Sequence, residues 1–136
     1  MIVDSSLIPS YALEPNRIDA DPPLTRNWHL LMPDPSRIDM LKQFLAENPG
    51  DAFARYGLAM EYSKLGQIDT ALAEYKQLLE LNPDYTAGYQ MAAQMLAAAG
   101  RTGEARKMFA DGIAAAQRAG NVHARTEMEG MLAELG

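Results

Sequence analysis

The stretch EYSKLGQIDTALAEYKQLLELNP, residues 61–83, decides the fold of this chain. It reads as the end of one helix, a tight turn at Gly66, and a second full helix that is closed by Asn82 and Pro83. Gly66 stands where the first helix must end and the backbone must pass through a left-handed conformation, which glycine adopts at little cost. Ala71 is small at a point where two helices would have to approach closely. The stretch therefore predicts a helix–turn–helix unit.

The same pattern recurs 34 residues further along the chain. Gly66 is matched by Gly100, and Ala71 is matched by Ala105. The same shift relates four further pairs: Ala59 and Ala93, Tyr75 and Phe109, Leu79 and Ile113, Pro49 and Pro83. Self-similarity at a fixed period of this length is the signature of stacked helix–turn–helix repeats.

At these positions the sequence resembles the tetratricopeptide repeat (TPR) family. Residues 52–85 supply six residues of the family's 34-residue pattern: Ala59, Tyr62, Gly66, Ala71, Tyr75 and Pro83. Residues 86–119 supply five: Tyr89, Ala93, Gly100, Ala105 and Phe109. The chain departs from the pattern at Arg55, where a bulky residue is usual, at Leu78 and Gly112, where alanine is usual, and at Gln117, where proline is usual. The resemblance implies an all-α fold, a right-handed α-solenoid of antiparallel helix pairs.

The organisation of the chain follows from this register. Five of the eight prolines lie in residues 1–33, and residues 1–21 are predicted to form an irregular leader. Residues 22–136 are predicted to form the TPR-like domain, with a degenerate half-repeat at 22–49, repeats at 52–85 and 86–119, and a capping helix at 121–135. In the half-repeat, the apolar residues Leu24, Trp28 and Leu31 suggest a short helix at 23–32 that caps the stack.

Start and stop signals place the remaining helices. Asp34 and Pro35 form a good start for a helix that ends before Asn48. Further helices are expected at about 52–65, from Asp69 to Leu81, at 84–99 and at about 103–119. The last helix, Val122 to Leu135, carries a one-sided stripe that would cover the end of the solenoid: Met128, Met131, Leu132 and Leu135.

Composition argues against several classes of function. Twelve basic residues against eighteen acidic ones leave a net charge of −6, which disfavours nucleic acid as a partner. No apolar run approaches the ~20 residues that span a bilayer, and no secretory signal is visible, so we expect no membrane partner and a cytoplasmic location. The chain has no cysteine, and His29 and His123 stand in no metal or triad spacing. We therefore expect no enzyme activity, no metal and no cofactor.

The resemblance also implies where a ligand would lie. TPR proteins bind ligands along the concave face of their first helices. Carried over position by position, that face gives twelve residues, of which seven are candidate peptide-binding residues: Phe53, Tyr56, Met60, Lys64, Gln90, Met91 and Gln94. Lys64 is the one cation among them, so the clamp of Lys, Arg and Asn that holds a C-terminal carboxylate is not expected. Methionine and aromatic side chains instead favour a protein or peptide ligand with apolar side chains.

Two alternatives remain open from the sequence. Tyr56 and Met91 could pack mainly within or between the repeats rather than face a ligand. The chain could also be a self-associating module, a homo-oligomer whose groove or ends bind another copy. In that case the groove could instead hold its own N-terminal segment, where Ile8, Tyr11 and Leu13 are spaced among prolines.

Overall fold

The computed structural model describes residues 35–136, and these residues contain six helices and no strand. The helices are α1 (Pro35–Glu47), α2 (Ala52–Lys64), α3 (Ile68–Leu81), α4 (Thr86–Ala98), α5 (Thr102–Ala119) and α6 (Val122–Leu135). Each helix packs against the next one along the chain, from α1 to α6. The predicted all-α helical repeat fold is confirmed. The predicted leader at 1–21 and the capping helix with Leu24, Trp28 and Leu31 lie outside the described residues.

The turns within the two helix pairs have the same backbone geometry. Gly66 and Gly100 have φ values of 77° and 78°, in the left-handed region that favours glycine. Each glycine N–H donates to the carbonyl three residues earlier, on Ser63 and Ala97, at 3.0 Å in both turns. The N–H that follows each glycine donates to the carbonyl five residues earlier, at 3.0 and 2.8 Å. The expected left-handed turns are therefore confirmed, and they direct the second helix of each pair in the same way.

Alanines lie where the helices cross. Ala71 and Ala105 have no exposed surface, and the same is true of Ala59 and Ala93 on the first helices. Because these side chains end at Cβ, the paired helices approach closely and larger side chains fill the space on either side. The largest fully buried side chains are Tyr75, Leu78, Leu96, Phe109 and Met128.

Replacing Ala71 by leucine is expected to lower the free energy of unfolding by about 1–3 kcal/mol, because the added carbons have no space at the crossing. Ala73→Leu provides a matched control, since Ala73 lies on the exposed side of the same helix and should change stability by less than about 0.5 kcal/mol. Urea denaturation followed by circular dichroism measures both. Equal unfolding midpoints for the two variants would contradict the register.

The last helix, α6, packs against α5 and α4. Gly120 ends α5 in a left-handed conformation with φ 70°, and the Asn121 side chain accepts a hydrogen bond from the Ala124 N–H at 3.0 Å. Ala124 and Met128 are buried against α5. At this junction Gly112 of α5 is also buried, and a Cβ built on it would lie 2.6 Å from Tyr89 Cβ. The absence of a side chain at Gly112 thus lets α5 approach α4.

Candidate interaction surface

Four of the seven candidate residues form one stripe along α2. Phe53, Tyr56, Met60 and Lys64 are spaced by three or four residues, so they share one side of the helix. Phe53 is 78% exposed, whereas Tyr56 and Met60 are half-buried and pack against the core. Lys64, at the end of the stripe, donates to Glu61 Oε1 at 3.4 Å. The stripe is thus an exposed aromatic ring followed by partly covered apolar surface and a paired cation.

Tyr56 links this stripe to the following helix pair. Its ring centroid lies 6.4 Å from that of Tyr75 in an edge-on arrangement and 5.6 Å from that of Tyr85 at an angle of 53°. Burial, and then the neighbouring Tyr85, raise the pKa of Tyr56, so its hydroxyl stays neutral at physiological pH. Tyr56 therefore combines a packing role between the pairs with a partly exposed edge.

The candidate residues on α4 have a different environment. Gln90 Nε2 donates to Glu127 Oε2 at 3.4 Å, and Gln94 Nε2 lies 3.2 Å from Met131 Sδ. Both partners belong to α6, and both contacts span 37 residues, as expected for two helices that run side by side in the same direction. Met91, between the glutamines, is half-buried and packs against the core.

The seven residues therefore fall into two groups. The α2 group is open to a partner at Phe53, and the α4 group has its two amides engaged by the chain's own last helix. A cavity of about 340 Å³ lies beside Gln94 where α4, α5 and α6 meet. Sequence analysis did not predict that α6 would lie against these glutamines. The two contacts join residues that are 37 positions apart, so no local signal in the sequence indicates them. Peptide binding by the seven residues stays a prediction.

Arg55 has a role that the sequence did not reveal. Its Nη1 forms an ion pair with Glu74 Oε1 at 2.7 Å, and its Nη2 donates to the Pro49 carbonyl at 3.1 Å. In the next repeat, Tyr89 donates its hydroxyl to the Pro83 carbonyl at 2.8 Å. Arg55 and Tyr89 are 34 residues apart, as are the two prolines. The departure at Arg55 therefore preserves a hydrogen bond that joins each first helix to the turn before it.

A larger cavity, of about 600 Å³, lies between α3 and α5. Its apolar lining consists of Leu72, Leu79, Tyr89, Leu96 and Met108. The remaining lining residues are Lys76, Glu80, Gly103, Glu104, Lys107 and Asp111. We refer to this cavity as the α3–α5 cleft. Sequence analysis gave no sign of it, because it is formed by helices that are not consecutive along the chain.

Two chemical features are missing from the described part of the chain. No group of three or more His, Cys, Asp or Glu side chains within residues 35–136 could hold a metal ion. None of the helices that the structure describes is both long enough and apolar enough to cross a membrane.

Stacked helix pairs with glycine turns and alanine crossings define a helical repeat protein, and comparisons identify the family. Two sequence models of the tetratricopeptide repeat match, one over residues 62–126 and the other over residues 40–73. A TPR repeat-containing protein from Pseudomonas aeruginosa is 31% identical over 98 residues, which cover 72% of this chain and 93% of that relative. The chain belongs to the tetratricopeptide repeat family.

Solved structures agree with this assignment. The solution structure of a tetratricopeptide repeat domain protein from Salinibacter ruber is 31% identical, with a TM-score of 0.60, over 64% of this chain and 88% of that one. The solution structure of a Bordetella parapertussis protein is 26% identical, with a TM-score of 0.62, over 72% of this chain and 85% of that one. Members of this family are generally protein–protein interaction modules without catalytic activity.

Proposed function

We propose that this TPR protein binds a peptide segment of a partner protein along the first-helix surface. The surface consists of Phe53, Tyr56, Met60, Lys64, Gln90, Met91 and Gln94. The observation that supports it most is Phe53, a large apolar side chain that is 78% exposed and stands in line with half-buried Tyr56 and Met60. Burying that ring against a partner would remove apolar surface from water, which is the main driving force for association.

The chemistry of the surface favours an apolar ligand. Its one cation, Lys64, is paired with the buried carboxylate of Glu61, which also accepts from Arg37 at 2.9 Å. A ligand carboxylate would have to compete with Glu61 for Lys64. Aromatic and methionine side chains, by contrast, adapt to varied apolar groups. The partner is therefore proposed to present apolar side chains rather than an acidic terminus.

The contacts of α6 concentrate the proposed binding on α2. A ligand at Gln90 or Gln94 would first have to displace Glu127 or Met131 from the two amides. Phe53, by contrast, is 78% exposed in the described part of the chain. Because the open part of the surface is short, we expect a dissociation constant in the micromolar range, roughly −8 kcal/mol of binding free energy.

Phe53→Ala is expected to weaken binding of an identified partner about tenfold, because it removes the exposed ring without disturbing the core. The partner would be identified by affinity capture and mass spectrometry, and its affinity measured by isothermal titration calorimetry. Leu81→Ala is the matched control, since Leu81 is another exposed apolar residue, 56% exposed, at the end of α3. It should leave the affinity within about twofold.

A second variant addresses the deeper part of the surface. Tyr56→Ala combined with Met91→Ala should also weaken binding while the helical circular dichroism signal is retained. Unchanged affinity in this double variant and in Phe53→Ala would contradict the proposed surface. If light scattering at several concentrations shows that the captured partner is a second copy of this chain, the self-associating alternative holds instead. The cytoplasmic location stays a prediction.

A further inference from the structure

The α3–α5 cleft lies on the other side of α4 from the proposed peptide surface. Tyr89 and Leu96 of α4 are seven residues apart and line the cleft. With 3.6 residues per turn, Met91 and Gln94 point in roughly the opposite direction from this helix. The volume of about 600 Å³ is typical of sites that bind a ligand or a partner's side chains. A molecule in the cleft would therefore be separate from one bound at Phe53.

The apolar floor of the cleft is not imposed by the repeat fold. The equivalent residues one repeat earlier, by the 34-residue shift, are Arg55 for Tyr89 and Glu74 for Met108. There the two side chains form an ion pair of 2.7 Å that joins α2 to α3. The fold thus accepts a polar bridge at this place. In the second repeat, two apolar side chains stand there and line an open cleft.

The rim of the cleft carries charges in a regular order. Each wall has a lysine followed four residues later by a carboxylate, Lys76 and Glu80 on α3 and Lys107 and Asp111 on α5. Glu104 precedes the lysine of the α5 wall by three residues. Along the α5 wall the order is therefore acidic, basic, acidic, and along the α3 wall it is basic, acidic.

Three side chains of the rim are accessible to a ligand, and one of them is held in its charged form. Arg101 donates two hydrogen bonds of 2.8 Å to the Glu104 carboxylate and lowers its pKa, so this end of the rim stays negative. The side chains of Glu104, Lys107 and Asp111 are 51%, 77% and 48% exposed. Lys107 donates to both oxygens of the Asp111 carboxylate, at 3.2 and 3.1 Å, but exposed pairs of this kind are weak, so a ligand with complementary charges can compete for them.

We propose that the α3–α5 cleft is a second docking site, which takes an amphipathic helix of a partner protein whose flanks carry charges in the order basic, acidic, basic. Two helices with an apolar floor between them form the kind of groove into which a third helix packs its apolar stripe. The charge order supplies the complementarity: bases face Glu104 and Asp111, and an acid faces the two lysines. Glu104 to Asp111 spans about 11 Å of helix, so a partner helix of about three turns covers the rim.

Two synthetic peptides test the proposal on the full chain. Both are helical, with 14 residues and the same leucine stripe. The first has flanks in the order Lys, Glu, Lys, and the second has the order Glu, Lys, Glu. Fluorescence anisotropy of the labelled peptides measures binding. The first peptide is expected to bind at least about tenfold more tightly at low ionic strength, and the difference should shrink in about 0.5 M salt, because salt screens exposed charges.

An exchange of two charges on α5 tests whether the peptide binds in the α3–α5 cleft. Lys107→Glu combined with Asp111→Lys keeps the net charge and an opposite-charge pair four residues apart, but it reverses the order on the α5 wall. This variant should lose most of the preference for the first peptide. The matched control is Ala73→Glu combined with Gln77→Lys, which makes the same pattern at the equivalent exposed positions of α3, outside the cleft lining. The control should keep the preference.

Four results would overturn the proposal. The first is equal binding of the two peptides, and the second is a preference that survives the exchange on α5. The third is a dimer, seen by light scattering, that the α5 exchange dissociates, since a second copy would then occupy the cleft. The variant Phe53→Ala distinguishes binding in the cleft from binding at the peptide surface on α2. It should leave binding of the first peptide unchanged, and loss of binding in Phe53→Ala would place that peptide on α2 and refute docking in the cleft.

Discussion

Gly112→Leu is expected to lower the free energy of unfolding by about 3 kcal/mol or more. Gly112 lies inside α5, where that helix meets α4 and α6. A Cβ there would approach Tyr89 Cβ and Met128 Sδ to 2.6 Å each. The methionine sulfur can move, but Tyr89 Cβ is fixed to the α4 backbone. The helices must therefore separate, and buried contacts of Met128 and Phe109 are weakened with them.

Gly103→Leu is the control, because it makes the same change on the same helix. A Cβ at Gly103 would meet no atom within 4 Å. Since leucine favours helix over glycine, this variant should be neutral or more stable by up to about 1 kcal/mol. Guanidinium denaturation monitored by circular dichroism gives both free energies of unfolding. If both leucine variants unfold at the same denaturant concentration, α5 does not approach α4 as closely as described.

Arg55→Ala is expected to cost about 2–4 kcal/mol of the free energy of unfolding. The Arg55 side chain is 10% exposed, and its removal leaves the Glu74 carboxylate and the Pro49 carbonyl without their bonds. Removing one member of a buried pair is more damaging than removing both, because a desolvated charge is left behind. Glu74 is 22% exposed, which places the expected loss below that of a fully buried pair.

The second repeat suggests a variant that restores stability. Arg55→Tyr combined with Glu74→Met reproduces the residues found 34 positions later, where the Tyr89 hydroxyl already bonds the Pro83 carbonyl. This double variant should recover to within about 1 kcal/mol of the original chain in the same denaturation experiment. If it is as unstable as Arg55→Ala, the two repeats do not share this linking hydrogen bond.

Helix boundaries show how far local signals reach. The start of α1 and the whole of α6 were placed correctly, whereas α3 begins one residue before the predicted Asp69 and α4 begins at Thr86 rather than at 84. The difference follows from capping. Asn121 caps α6 with its side chain, but Gln67 and Tyr85, at the N-terminal ends of α3 and α4, provide no side-chain cap. Without a capping residue, the sequence carries no sharp start signal.

The sequence by itself determined the repeat, its period and the two left-handed turns. These features depend on glycine, proline and helical periodicity, which act between residues close together in the chain. Through the family resemblance, the sequence also indicated the seven candidate residues. It did not indicate which side chains surround them. Gln90 and Gln94 could equally have faced water or another helix.

Only the tertiary structure decided that α6 lies against those glutamines, that Arg55 bridges to Glu74, and that the α3–α5 cleft is open and apolar. Each of these depends on how helices that are distant in sequence are placed side by side. The physical reason is that packing selects partners by distance and shape after the helices have formed. The same side chain can therefore lie in a core, line a groove or contact a neighbouring helix.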